Sequence, residues 1–93
     1  MQIIKLLRER DMLILGSGLT DPDLSLAGAL HLYTWAGIEH PCALNGPQFL
    51  ADTLVTNGLA PDGDLIFVPE GPGLGLELDS RAEVALTPAA RLR

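Results

Sequence analysis

Between Arg10 and Arg81 the sequence contains no lysine or arginine. All six basic residues lie near the two ends (Lys5, Arg8, Arg10, Arg81, Arg91 and Arg93), and the formal net charge of the 93-residue chain is −6. Nucleic acids and anionic membrane surfaces attract clustered cations. Neither is therefore an expected partner of this chain.

Long apolar runs are also missing. None approaches the roughly 20 residues that a membrane-spanning helix needs. The first seven residues contain Lys5 and lead into the charged stretch 8–11, which is unlike the apolar region of a secretory signal. We therefore expect a cytoplasmic location.

Cysteine is represented by Cys42 alone, so no disulfide can form within the chain. The sequence has two histidines, His31 and His40, that could accompany it in a zinc site. Structural zinc sites use four ligands in two closely spaced pairs, and this set has no second pair. We expect no metal site in this chain alone.

The amino-terminal half has the pattern of a helix, a buried strand, a second helix and a second strand. Residues 2–10 are amphipathic, and the uniformly apolar run 12–15 is typical of a strand in a parallel sheet. Asp21-Pro22-Asp23 marks a helix start, and Gly37 marks its end. The short apolar segment 41–44 then completes a strand–helix–strand unit, whose two strands should end on the same side.

From residue 48 onward the sequence pattern changes. We predict a short helix over 48–55, then strands over 65–68 and 74–78 joined by a loop rich in proline and glycine. Asp79 or Ser80 should begin a last helix that runs to Leu86, and 87–93 should be a frayed tail.

The predicted fold class is α/β, but it is incomplete. A chain of this size buries only about two-thirds of its unfolded surface, so a missing layer leaves its core marginal. Two buried parallel strands need neighbours along their edges and layers on both faces. One crossover helix cannot supply them.

Three segments explain this incompleteness because they resemble the mandelate racemase and muconate lactonizing group of the enolase superfamily. Residues 12–32 resemble its seventh barrel strand, loop and helix, and residues 41–50 resemble the eighth strand and the turn after it. Residues 63–79, with Pro69-Glu-Gly-Pro-Gly-Leu-Gly75 between two strand-like runs, resemble the segment that closes the barrel. The resemblance implies the carboxyl-terminal fragment of a modified TIM barrel. Residues 1–62 would then be its last helix-strand-helix-strand portion, and 63–93 would return to the capping domain.

The activity implied by this resemblance is removal of a proton alpha to a carboxylate, with the enolate held by Mg²⁺. The family carries its metal carboxylates and bases on barrel strands two to six, which have no counterpart here. The resemblance therefore implies no catalytic residue and no metal ligand in this chain, and inactivity when it is alone. A small carboxylate substrate and Mg²⁺ would belong to the parent enzyme. The resemblance leaves three classes open for that enzyme: dehydratase, cycloisomerase or racemase.

The resemblance implies substrate contact at the ends of the last two strands, where four residues lie. Asp21 stands near a Glu that muconate-type members often carry, Ser17 and Thr20 share its loop, and Asn45 ends the other strand. Dipeptide epimerases of the family carry an Asp-x-Asp pair where this chain has Ala43 and Asn45, so the parent resembles a dehydratase or a cycloisomerase more closely. Each residue also has a plain interpretation. Asp21 suits a helix cap, and Asn45 opens an ordinary Asn-Gly-Pro turn.

Two hypotheses of other kinds remain open. One is a small, non-catalytic α/β module that self-associates or binds a partner chain through its open strand edges. The other is complementation, in which a separate polypeptide supplies the missing strands.

Overall fold

The computed structural model describes residues 1–85, with side chains described as far as residue 82. Its helices are α1 (Gln2–Glu9), α2 (Asp23–Ala36), α3 (Gly46–Phe49) and α4 (Ser80–Ala85). Within residues 1–85, β-pairing is confined to single bridges: Ser17 with Ala43 (parallel), Val55 with Leu78 and Asp62 with Leu65 (both antiparallel). None of these four helices is long and apolar enough to cross a membrane. The predicted helix end at Leu86 and the tail 87–93 lie outside the described residues.

Helix α1 forms where the apolar periodicity predicts it, one residue shorter than expected. Lys5 Nζ lies 3.8 Å from Glu9 Oε1, one helical turn away. No side chain of α1 is buried, and Ile3 remains 72% exposed. The apolar stripe of this helix is therefore left mostly in solvent.

Helix α2 is the central element of the fold. It begins at Asp23, with Pro22 in the N-cap position and no side-chain cap, so the expected capping by Asp21 is wrong. Its end at Gly37 is confirmed, since that residue adopts left-handed φ and ψ of 61° and 46°. The N–H groups of Gly37 and Ile38 close the final turn on the carbonyls of Thr34 (3.0 Å) and Tyr33 (3.1 Å).

The core lies along one stripe of α2. Leu26, Ala27 and Leu30 are buried there together with Leu59 from the later part of the chain. Four partly buried side chains pack around this cluster: Leu44, Ile66, Val68 and Leu76. Asp23 lies one turn before Leu26 on the same stripe and is also buried.

The segment 41–44, predicted as a strand, pairs in parallel with residues 16–18 through one bridge. Gly18 N–H donates to the carbonyl of Ala43 at 2.8 Å, and Ala43 N–H donates to that of Gly16 at 3.2 Å. The next rung would need an N–H from Pro41, which has none. The prediction of regular strands over 12–15 and 41–44 is therefore wrong. The parallel direction is right, but the pairing lies at residues 16–18, just beyond the first predicted strand.

The second half of the described chain also has less regular structure than predicted. Helix α3 ends at Phe49, so the helix predicted over 48–55 is wrong. Asp52 Oδ1 accepts from the N–H of Thr53 (2.8 Å) and Thr53 Oγ1 accepts from that of Val55 (3.3 Å), which competes with helical bonding.

The strands predicted over 65–68 and 74–78 do not form regular strands either. Leu65 bonds back to Asp62 around a turn. Leu78 instead pairs with Val55, and the side chain of Asn57 joins the Gly75 carbonyl (3.0 Å) to the Glu77 N–H (2.8 Å). An amide side chain thus satisfies backbone groups that a sheet neighbour would otherwise bind.

Helix α4 begins at Ser80, and Asp79, one of the two residues predicted to cap it, directly precedes it. The Oδ1 of Asp79 accepts from the Arg81 backbone N–H at 2.8 Å, and the Arg81 guanidinium binds both carboxylate oxygens at 3.1 Å. These side-chain bonds, together with the backbone bond, lower the pKa of Asp79 below its ordinary value of 3.8.

Candidate functional site

The ends of the two parallel segments meet at one edge of the molecule. Ser17 lies opposite Ala43, and the turn at Gly46 packs on the backbone of Asp21. A Cβ atom on Gly46 would lie 2.6 Å from the amide nitrogen of Asp21, so only glycine permits this approach. The loop 17–21 and the turn 43–46 therefore form a single surface.

Ser17 is held by its backbone. Its N–H donates to the hydroxyl of Tyr33 (3.3 Å), and that hydroxyl donates to the Ser17 carbonyl (3.1 Å). Gly16 makes this possible, because a Cβ there would lie 2.7 Å from the Tyr33 ring. With its backbone fixed by α2, exposed Ser17 can offer its hydroxyl to a ligand.

Asp21 is half-buried, and its carboxylate lies over the backbone of Gly18. A Cβ on Gly18 would lie 2.9 Å from Asp21 Oδ2. Thr20 precedes it in an exposed position. The loop thus presents two hydroxyl groups and one carboxylate within five residues.

Asn45 is exposed and begins α3 without a side-chain cap, although its carbonyl accepts from the Gln48 N–H at 3.1 Å. It lines an open cleft of about 420 Å³ together with His40, Cys42, Gln48 and Asp64, among others. Ser17, Thr20 and Asp21 do not line that cleft. The structure therefore brings Ser17 and Asp21 to the same edge as Asn45, but it does not gather all four predicted residues around one cavity.

Asp23 has a role that was not predicted from the sequence. Its Oδ2 accepts from the hydroxyl of Thr53 at 2.6 Å, and its Oδ1 accepts from the N–H of Leu59 at 2.5 Å. The side chain is 5% exposed, so both bonds are shielded from water. From the sequence, Asp23 was predicted only to belong to the start of the helix. Its place on the buried stripe with Leu26 and Leu30 is the signal that could have predicted its burial.

The described side chains do not fit a magnesium site. Within residues 1–82 no three histidine, cysteine, aspartate or glutamate side chains come together in a way that could hold a metal ion. Mg²⁺ prefers six oxygen ligands in near-octahedral geometry. Any such ion would need ligands from outside this part of the chain.

No family model matches the sequence. Individual proteins do match. A chloromuconate cycloisomerase of Pseudomonas putida is 40% identical over 65 residues, which are 69% of this chain and 18% of that protein. This match supports an origin in the enolase superfamily, in the mandelate racemase and muconate lactonizing group. Chloromuconate cycloisomerases of Cupriavidus necator and Delftia acidovorans are each 35% identical over 65 residues, again 69% of this chain and 18% of the relative. These matches confirm the family resemblance seen in the sequence. The matched stretch spans 18% of the length of each of these relatives.

Proposed function

We propose that this chain is the carboxyl-terminal portion of a cycloisomerase-type enolase-superfamily enzyme, and that it supplies substrate contacts without supplying the catalytic base. The observation that carries this proposal is the 40% identity to a chloromuconate cycloisomerase over 69% of the chain. The parallel pairing at Ser17 and Ala43 supports it, since strand ends on one side are where barrel enzymes bind substrate.

The substrate class is a small carboxylate. The hydroxyls of Ser17 and Thr20 and the amide of Asn45 are neutral donors that can bind carboxylate oxygens. Asp21 can only accept hydrogen bonds when ionised, and it repels a second negative charge. Asp21 therefore contributes to selectivity, because it disfavours substrates that place a carboxylate beside Gly18.

Magnesium would belong to the parent enzyme, where it stabilises the negative charge that develops on the carboxylate substrate. Its ligands would come from residues outside the described part of this chain. We therefore propose that the chain is inactive alone. Purified 93-residue protein that turned over a muconate with a dependence on Mg²⁺ would contradict this.

A chimera tests the positive part of the proposal. This chain would replace the corresponding stretch of the P. putida enzyme, and conversion of chloromuconate would be followed. We expect activity, and a KM about tenfold higher for Ser17→Ala or Asn45→Ala if each loses one hydrogen bond to a charged group. Ser25→Ala is the matched control, because Ser25 is exposed on α2, away from the loop.

Folding of the chimera is checked separately by circular dichroism and thermal melting. A chimera that melts like its parent yet has no activity would contradict a cycloisomerase origin. Equal KM values for Ser17→Ala and Ser25→Ala would contradict the assignment of Ser17 alone. Mixing the 93-residue chain with the remaining part of the relative, as separate polypeptides, tests complementation in the same assay.

A second function, a non-catalytic interaction module, is favoured by one observation. Many large apolar side chains are more than half exposed, among them Ile3, Leu13, Leu15, Leu19 and Phe67. Exposed apolar surface on this scale is typical of proteins that bind a partner or themselves. Light scattering of the purified chain distinguishes the two functions, since a folded, monodisperse monomer argues against the module.

A further inference from the structure

Glycine follows both asparagines of the sequence, in the pairs Asn45-Gly46 and Asn57-Gly58. Asparagine is a thermolabile residue, and a following glycine favours its reaction because the missing Cβ lets the glycine nitrogen approach the asparagine side chain. That nitrogen attacks the side-chain carbonyl carbon and forms a cyclic imide, while the bond from this carbon to the amide nitrogen breaks and ammonia leaves with the proton of the glycine N–H. Water then opens the ring at either carbonyl, which gives aspartate or isoaspartate. Both pairs have the same chemistry, so their surroundings decide which of them reacts.

The side chain of Asn57 is held at both of its polar atoms. Its Nδ2 donates to the carbonyl of Gly75 at 3.0 Å, and its Oδ1 accepts from the N–H of Glu77 at 2.8 Å. The side-chain carbon of Asn57 cannot turn toward the nitrogen of Gly58 unless both bonds are lost. These bonds therefore oppose ring closure at the second pair.

The side chain of Asn45 has no such restraint within the described chain. It is exposed and makes no hydrogen bond with any residue from 1 to 82. Gly46 is the first residue of α3, so its N–H has no acceptor within that helix. Attack requires rotation of the Asn45 backbone from its ψ of 13°, which breaks the bond from the Gln48 N–H to the Asn45 carbonyl (3.1 Å) in a helix of only four residues. The packing of Gly46 on the backbone of Asp21 restrains this rotation, so the folded chain should react more slowly than the unfolded one.

We propose that Asn45 is a site of spontaneous deamidation in this chain, and that its two side-chain hydrogen bonds protect Asn57 from the same reaction. The inference does not depend on the proposed enzymatic function. It concerns the chemical stability of two peptide bonds with the same local sequence, Asn-Gly, in different surroundings.

The reaction changes the surface formed by the loop 17–21 and the turn 43–46. Aspartate at position 45 replaces an amide, which can donate hydrogen bonds, by a carboxylate, which can only accept them when ionised. It also adds a negative charge next to Gly46, which packs on the backbone of Asp21. Isoaspartate lengthens the backbone by one carbon at the same junction, so it disturbs this packing as well.

Peptide mapping by mass spectrometry tests the proposal on the complete 93-residue chain. The chain would be incubated in mildly alkaline buffer, with and without urea, and conversion at each asparagine would be followed over time. In the folded chain we expect Asn45 to convert roughly tenfold faster than Asn57, in line with the two side-chain hydrogen bonds that Asn57 alone must lose. In urea the two rates should become similar. Equal rates in the folded chain, a rate ratio that persists unchanged in urea, or no conversion of Asn45 in the folded chain would each overturn the proposal.

Two glutamine substitutions provide an independent readout, the release of ammonia. Glutamine keeps the amide, but its ring would be larger and closes more slowly. Asn45→Gln should remove most of the ammonia released by the folded chain, whereas the matched control Asn57→Gln should leave it nearly unchanged. Equal loss from both variants would overturn the proposal. Circular dichroism checks that each variant is folded before its rate is compared.

Discussion

Replacing Asp23 with alanine removes the acceptor that joins the start of α2 to the segment 53–59. The carboxylate accepts from Thr53 Oγ1 at 2.6 Å and from the buried N–H of Leu59 at 2.5 Å. A hydrogen bond to a charged group contributes about 1.5–3 kcal/mol, and Thr53 is exposed enough to bind water instead. The N–H of Leu59 has no such replacement. We therefore expect Asp23→Ala to lower the free energy of unfolding by about 3 kcal/mol.

Urea unfolding followed by circular dichroism at 222 nm measures this loss, and the fluorescence of Trp35 gives a second probe. Asp64→Ala is the control, because Asp64 is exposed and should change the free energy of unfolding by less than about 0.5 kcal/mol. Asp23→Asn keeps one acceptor oxygen and should cost about half as much as alanine.

A double-mutant cycle isolates the bond between Asp23 and Thr53. Thr53→Val removes the hydroxyl at nearly constant volume, and we expect a coupling of about 1 kcal/mol with Asp23→Ala. The reasoning is refuted if Asp23→Ala destabilises the chain no more than Asp64→Ala, or if the cycle gives no coupling. Either result would mean that the carboxylate does not make these bonds in solution.

Two further predictions concern Gly46 and Asp79. Gly46→Ala should destabilise the fold by about 2 kcal/mol, because the added Cβ meets the backbone of Asp21. Gly28→Ala in α2 has open space around it and should stabilise the fold by about 0.5–1 kcal/mol. Thermal melts that show the same sign of change for both variants would contradict this. Bonding to Arg81 lowers the folded-state pKa of Asp79, so the stabilisation by the Asp79 carboxylate is present above pH 3.8 and is lost as the pH falls below that value. The difference in unfolding free energy between the natural chain and Asp79→Asn, measured by urea titration, should therefore shrink as the pH is lowered. A constant difference would count against the ion pair.

The helices could be predicted from the sequence because their signals are local. The apolar periodicity of 2–10 and the glycine at position 37 act within one or two turns, and both α1 and the end of α2 form where these signals lie. Bonding by Asp52 and Thr53 to nearby backbone overrides the weaker helical pattern of 48–55.

Strands were harder to predict because they depend on distant partners. The apolar run 12–15 has the composition of a buried strand, but its neighbour contains Pro41 and cannot donate the next hydrogen bond. Hydrophobicity alone does not encode that missing donor. Leu78 likewise pairs with Val55, a partner that the pattern of either segment does not specify.

The candidate site was predicted in part. A parallel crossover requires the ends of its two segments to meet, so the proximity of Ser17, Asp21 and the turn at Asn45 follows from topology. The contact between Tyr33 and Ser17 could not be predicted, since it depends on the ring lying beneath Gly16. The substrate role of these residues stays a prediction until the chimera is assayed.

The single bridge between Ser17 and Ala43 has a mechanical consequence. A ladder of several rungs fixes the angle between two strands, whereas here two hydrogen bonds, both made by Ala43, join the segments. Pro41 cannot donate the next bond. The angle between the loop that carries Ser17 and the turn that carries Asn45 therefore depends on other contacts as well, among them the packing of Gly46 on Asp21.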